Sequence, residues 1–470
     1  MPFVRGLQHH PASDSILLTS AMLKDFVVYN VESSQPVGGY DWQYRLSYNA
    51  VVSNADLRQT FLPAFEAGVV EGRVRSMMTS YHALNGVPTS ASPVIQSELR
   101  ERLGWEGMMM SDGGAISYML TLCNANPPLN LSLCENLTPA AAAAINAGTD
   151  INSGGYGDSR YRKINPPHRI VKNMSGYAYE FLGDALDEGL VDLKRLRIAA
   201  TRTLRLRFEL GLFDDPSTGP FSGYSVAKDV DTEAHRALAR TSASESLVLL
   251  RNVGGLLPLN PSVLTHVAVI GPNANNSAAL LSNYAGCGAS QTRSAVNRND
   301  PSRPCRLVTP LQGLQLQLPS HVKLSYVEGC SLNRTLEGGE QAARQAAAAA
   351  DVVVLVVGLE AWPGGPFANL SKSELEGSDP TEGEAHDRVD LRLTDAQRAL
   401  VSTVLAANKN TVLVLMSGSA ISEPQFMTGP GAAPAVNQAL RWRGAWERLG
   451  FALARPHGVF WAASGHHCEQ

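Results

Sequence analysis

The sequence predicts an α/β protein of two domains with mostly parallel sheets, and three observations carry the prediction. Short apolar strands alternate with helical stretches up to about Pro216, the pattern of parallel β/α units. Residues 214–224, rich in Pro, Gly, Ser and Asp, then read as a break between domains. Beyond the break, the continuous apolar run 352–357 suits a strand covered on both faces.

Each element has its own local reason. Residues 107–115, Gly-Met-Met-Met-Ser-Asp-Gly-Gly-Ala, form an apolar strand closed by Asp112. A carboxylate at such a strand end, followed by two glycines, is held rigidly with open space before it, and α/β barrels keep their reactive groups there. A helix cap is the competing role for the same Asp. Thr138, Pro139, five alanines and Gly148 predict a helix with Thr138 at its N-cap and Gly148 past its end, and Ile151 begins a further strand. Leu193, Leu196, Ala200, Leu204 and Phe208 recur at helical spacing until Gly211. The second domain reads as a helix over 232–251, strands at 266–271 and 322–327 and a helix ending in the alanine run 346–350. The strand 352–357, a helix over 394–407 and a strand at 411–416 follow. From residue 423 no periodicity persists. The expected layout is a first domain over 1–215, a linker over 216–231, an α/β sandwich over 232–422 and an irregular tail over 423–470.

Bulk properties exclude several classes. The chain has 470 residues, 44% hydrophobic and 17% charged, with a net charge of −4, and gives no sign of a nucleic-acid or membrane-surface partner. Its apolar run at 352–359 is too short to span a bilayer. Six cysteines form no CxxC pair, so no metal site is expected; Cys123 with Cys134, and Cys287 with Cys305, are near enough in sequence to bridge. Asn-x-Ser/Thr triplets at Asn130, Asn136, Asn173, Asn275, Asn333 and Asn369 suit a secreted glycoprotein, while the first residues lack the apolar core of a signal peptide, which leaves localisation open. No G-x-S-x-G elbow is present, and Val269-Ile270-Gly271-Pro272-Asn273 lacks the further glycines of a dinucleotide fingerprint. The pairs His9-His10 and His466-His467 are adjacent rather than helix-spaced, so no metal or other cofactor is expected.

Four segments together resemble family 3 glycoside hydrolases, in the β-xylosidase and β-glucosidase branch. They are Ser76-Met77-Met78-Thr79-Ser80-Tyr81-His82-Ala83-Leu84-Asn85-Gly86-Val87-Pro88, Ser111-Asp112, Ala147-Gly148-Thr149-Asp150-Ile151-Asn152 and Ser244-Glu245-Ser246-Leu247-Val248-Leu249-Leu250-Arg251-Asn252. The resemblance runs from about Phe3 to about Ser422. It implies that the first domain is a partial (β/α) barrel, because the family carries roughly half a barrel ahead of the equivalent of Phe3, and that the tail after 422 is divergent.

The resemblance also implies a chemistry. Retaining hydrolysis of a glycoside needs a nucleophilic carboxylate and a second carboxyl group as acid/base. Asp112 matches the nucleophile. The acid/base is expected after the strand 352–357, where Glu384-Ala385-His386-Asp387-Arg388 fits the family's Glu-Gly-x-Asp-Arg pattern, with Glu376 and Glu382 as alternatives. Lys24, in a stretch similar to the family's Lys-His-Phe, is expected to bind sugar hydroxyls; Asp25 stands where the family has His and adds a negative charge near Asp112. Tyr81 matches a position that supports the nucleophile, and Arg45 is expected to meet substrate or an acidic neighbour. The implied partner is an oligosaccharide or aryl glycoside. The competing reading is a non-catalytic sugar-binding remnant or an inactive fragment of such an enzyme.

Overall fold

In the computed structural model of the chain the described residues are 2–10, 13–32, 44–125, 135–154, 178–219, 221–280, 307–360, 382–383, 387–388, 390–428 and 431–440. The chain divides into two compact units, Met1–Gly223 and Tyr224–Gln470.

In the first unit three parallel strands, β1 (Met22–Phe26), β2 (Ser76–Thr79) and β3 (Met108–Met110), lie side by side in chain order, and Ile151 continues the order as a parallel bridge to Met110. Helical segments separate them: α1 (Pro63–Val70) and Ile95–Arg102 between strands, then α2 (Ala115–Ala125) and α3 (Leu137–Ala147) before Ile151. Parallel neighbours in sequence order with helices between them form part of the wall of a (β/α) barrel. Phe26, Met77, Ile95, Leu99 and Met109, each at most 1% exposed, fill the space between strands and helices. Helix α3 starts earlier than the sequence suggests. Its N-cap is Asn136, whose Oδ1 accepts the Thr138 N–H at 2.9 Å, and it ends at Gly148 with φ 114°, a conformation that glycine adopts without a Cβ clash.

Helix α4 (Leu193–Glu209) closes the unit with a second difference. The stripe Leu193, Leu204, Phe208 is exposed, and the buried face is Ala199, Arg202 and Leu206. Arg202 turns inward because a buried anion attracts it. The Asp150 side chain is fully buried, 3.1 Å from Arg100 Nη2 and 3.5 Å from Arg202 Nη1. Its Oδ2 also accepts the Met109 N–H at 3.0 Å. Arg100 in turn donates to the carbonyls of Trp105 and Gly107, the loop that feeds β3.

The second unit holds a six-stranded sheet. Helix α5 (Glu233–Glu245) precedes strand β4 (Leu247–Asn252), and β5 (His266–Ile270), β6 (Lys323–Val327), β7 (Val352–Gly358), β8 (Thr411–Ser417) and β9 (Ala435–Leu440) follow. Their spatial order is β6-β5-β7-β8-β9-β4, parallel except for the β9–β4 pair. All seven residues of β7 and of β8 are buried, as expected of strands covered on both faces by α6 (Pro310–Gln317), α7 (Gly339–Ala348) and α8 (Asp395–Ala407).

Two sequence expectations are corrected here. The helix expected over 232–251 stops at Glu245, because the aliphatic run after it pairs with β9 as an edge strand. The stretch expected to be irregular from 423 contains a short helix, Pro424–Met427, and the sheet strand β9; the rest of that tail, 441–470, lies outside the described residues. Cys330 is a buried free thiol and Cys123 is disulfide-bonded; Cys134, Cys287 and Cys305 lie outside the described residues.

Removing one member of a buried ion pair strands the other, at a cost of about 3 kcal/mol. Asp150→Ala is therefore expected to lower the stability of the first unit by about that amount. Urea unfolding followed by tryptophan fluorescence measures it, and a loss below about 1 kcal/mol would show that the cluster does not hold β3.

Candidate active site

Asp112 stands two residues past the C-terminal end of β3, with its side chain 15% exposed. Its own loop orients it: Oδ1 accepts the Gly113 N–H at 2.6 Å. Ser111 Oγ lies 3.0 Å from the Asp112 carbonyl and 3.2 Å from Asn152 Oδ1, and it accepts the Ser153 N–H at 3.1 Å. These contacts tie the turn after β3 to the neighbouring chain at Ile151.

Lys24, on β1, brings its Nζ to 3.9 Å from Asp112 Oδ2. Its side chain is 54% exposed, so the pair contributes only about 0–1 kcal/mol to folding. What it does supply is a charged donor beside the carboxylate. Asp25, next along β1, is half-buried with φ 63°. Burial first, then Asp112 and Glu32, push its carboxyl up to about 6, against the pull of Lys24 and Arg45.

A wall of rings stands behind these charges. Tyr81 is buried and its hydroxyl donates to the Gly113 carbonyl at 3.2 Å, so it braces the residue after Asp112. Its ring packs on Tyr29 at 6.4 Å and Tyr118 at 5.9 Å, and the Arg45 guanidinium lies over it at 5.0 Å. Arg45 is 2% exposed and donates to Glu32 Oε2 at 2.8 Å. Glu32 had no sequence signal, being a single loop acid without spacing to any motif. His82 stacks on Tyr48, lies 3.0 Å from Ser80 Oγ through Nδ1, and is fully buried. Burial lowers its pKa from 6.5 to about 4, so it is neutral in the fold at neutral pH.

In the second unit, β6 and β7 flank β5, so the chain reverses its direction of winding between β5 and β7. Ligands of open α/β sheets sit at the C-terminal ends of strands at such a reversal. Polar side chains collect there. Asn273 and Glu360 are fully buried, Asn276 donates to Glu360 Oε2 at 2.5 Å, and the Glu382 N–H donates to the Glu360 carbonyl at 3.2 Å. Both oxygens of Glu382 are engaged, by the Gly418 N–H at 2.8 Å and Ser419 Oγ at 2.5 Å. A Cβ at Gly418 would stand 2.9 Å from Glu382 Oε1, so a side chain there would displace that carboxylate. Arg388 binds the same turn, donating to Ser419 Oγ at 3.1 Å and the Ala420 carbonyl at 2.6 Å. Glu376 and Glu384 lie outside the described residues.

The structure thus gathers Lys24, Asp25, Tyr81 and Arg45 around Asp112, and places Glu382 in a polar cluster of the second unit. Among the described residues no group of His, Cys, Asp and Glu is arranged to hold a metal ion. No helix among them is long and apolar enough to cross a membrane.

Asp112 stands at the mouth of a barrel strand, the place where (β/α) barrels keep their reactive groups. Comparison with known proteins supplies the family. Residues 3–206 match the glycosyl hydrolase family 3 N terminal domain and residues 247–440 match the glycosyl hydrolase family 3 C-terminal domain, and the chain belongs to that family. The second match includes β9, beyond the point where the sequence pattern fades. A beta-xylosidase/alpha-L-arabinofuranosidase 2 of Medicago sativa subsp. varia is 32% identical over 422 residues, 88% of this chain and 45% of that protein. Beta-D-xylosidase 3 of Arabidopsis thaliana is likewise 32% identical, over 88% of this chain and 45% of the relative. The chain therefore spans about half the length of the curated relatives it matches. Among solved structures, a GH3 exo-beta-xylosidase superposes with a TM-score of 0.73 at 23% identity, over 96% of this chain and 49% of that one. A beta-glucosidase from Listeria innocua gives 0.66 at 22%, over 93% and 50%. At these identities the likeness establishes the fold.

The neutral state of His82 has a measurable consequence. A histidine whose folded pKa is depressed from 6.5 to about 4 leaves stability intact above pH 6.5 and withdraws it as the pH falls toward 4, by about 3 kcal/mol in total. The chain should lose stability over that interval more steeply than His82→Gln, and parallel curves of denaturation midpoint against pH for the two proteins would contradict the assignment.

Proposed function

We propose that this chain carries the catalytic groups of a retaining exo-β-glycosidase acting by double displacement, with xylosides or glucosides as substrates. The observation that carries the reading is Asp112, oriented by the Gly113 N–H at 2.6 Å with Lys24 Nζ at 3.9 Å. Ionised Asp112 attacks the anomeric carbon and forms a glycosyl ester, which water then cleaves. Lys24 and Asp25 bind ring hydroxyls, Tyr81 braces the turn that holds the nucleophile, and Arg45 keeps the Tyr81 ring and Glu32 in place.

The proposed acid/base is Glu384. Glu382 is the weaker alternative, because both of its oxygens already accept hydrogen bonds and so hold the loop to Gly418 and Ser419. Specificity for xylosides or glucosides is suggested by the relatives, whose names include both β-xylosidases and β-glucosidases.

Turnover of p-nitrophenyl xyloside and glucoside by the folded chain, abolished in Asp112→Asn, is the expected outcome; persistent turnover in the variant would falsify the nucleophile assignment. Glu384→Ala should lower kcat/KM about 10²–10⁴-fold for phenyl glycosides and far less for 2,4-dinitrophenyl glycosides, whose leaving group needs no proton. Equal losses on the two substrates would instead point away from Glu384 as the proton donor.

A further inference from the structure

Asp25 is a carboxylate beside the nucleophile whose charge the hydrolytic reading leaves unused. Four charged groups act on it: Lys24 and Arg45 are positive, Asp112 and Glu32 negative. The two cations are each close to one of the other acids, Arg45 at 2.8 Å from Glu32 and Lys24 at 3.9 Å from Asp112. Asp25 forms no ion pair within 4 Å among the described residues, and its Oδ1 is closed to solvent without a hydrogen-bond partner. A half-buried carboxylate without donors is unfavourable in a fold, and native structures keep such groups where a ligand completes them. With Oδ1 closed off, Oδ2 is the oxygen left to meet a ligand.

We propose that Asp25 is a specificity-determining residue whose carboxylate receives an ammonium substituent on the bound sugar ring, so that the site takes amino-sugar glycosides in preference to their neutral parents. The proposal rests on the reading of this site as the sugar site. A ring hydroxyl donates one hydrogen bond to Asp25 and leaves its charge uncompensated beside Asp112. An ammonium group supplies donors and the missing positive charge together, which makes the stronger, charge-assisted contact. Because the carboxyl is held at about 6, it is charged above that pH and neutral below it. The preference is therefore present near neutral pH and fades as the pH falls through 6.

Calorimetry on the full chain tests this without requiring turnover. Methyl β-glycosides bearing an ammonium at C2, C3 or C4 are titrated against their hydroxyl parents, near neutral pH and about two units lower. At least one ammonium sugar is expected to bind about tenfold tighter than its parent near neutral pH. That advantage should vanish at the lower pH and in Asp25→Asn, and persist in part in Asp25→Glu, whose retained charge separates loss of the anion from loss of the fold. Binding of the parents with no ammonium preference, or a preference that survives Asp25→Asn, overturns the proposal and leaves the glycosidase reading standing. If folded chain binds neither parent nor ammonium sugar, the sugar site itself is wrong and the proposal falls with it.

Discussion

The placement of Asp112 depends on a buried charge beside the strand that carries it. Asp150 accepts the Met109 N–H and faces Arg100 and Arg202 with its side chain out of contact with water. Through Arg100 the same cluster grips the carbonyls on the approach to β3. Strand β3 is only three residues long, too short to fix its own direction by ladder hydrogen bonds. The ion cluster does that work from below, and Ser111, Asn152 and Tyr81 finish it from above. Bracing on both sides holds the Asp112 carboxylate in one geometry.

The second unit solves a related problem differently. Its central strands β5, β7 and β8 are apolar between their ends and need no ionic support, and polar side chains collect where these strands finish. There, backbone and side chains hold Glu360, Glu382 and Arg388 against the turn at Gly418–Ser419. A long connection leaving β7 is in this way fastened on the residues flanking 384–386. The first unit spends buried charge on a strand, and the second spends it on a loop.

Much of this was legible from residue order alone. Asp112 followed by two glycines announced a strand-end carboxylate, and the apolar run at 352–357 announced a central strand. What the sequence concealed were features decided by distant partners. The aliphatic run after Glu245 suits helix and strand equally, and only pairing with β9 selects the strand. The strand β9 itself, Ala-Val-Asn-Gln-Ala-Leu, carries a weak pattern and takes its shape from β8 beside it. Helix α4 shows a clean apolar period, yet the attraction between Arg202 and Asp150 turns the other face inward. Glu32 and the cap Asn136 had no spacing signal to reveal them. Local composition reported the elements; contacts across the fold set their limits and their orientation.

The outward face of α4 has a practical bearing. Leu193, Leu204 and Phe208 line one side of it, and the Phe208 ring packs at a tilt against the exposed Phe213 with ring centres 4.5 Å apart. A greasy ridge of this kind invites molecules to cluster as concentration rises. Handled alone, the polypeptide is a candidate for mild detergent and dilute storage, and light scattering is a sounder first measurement on it than any enzyme assay.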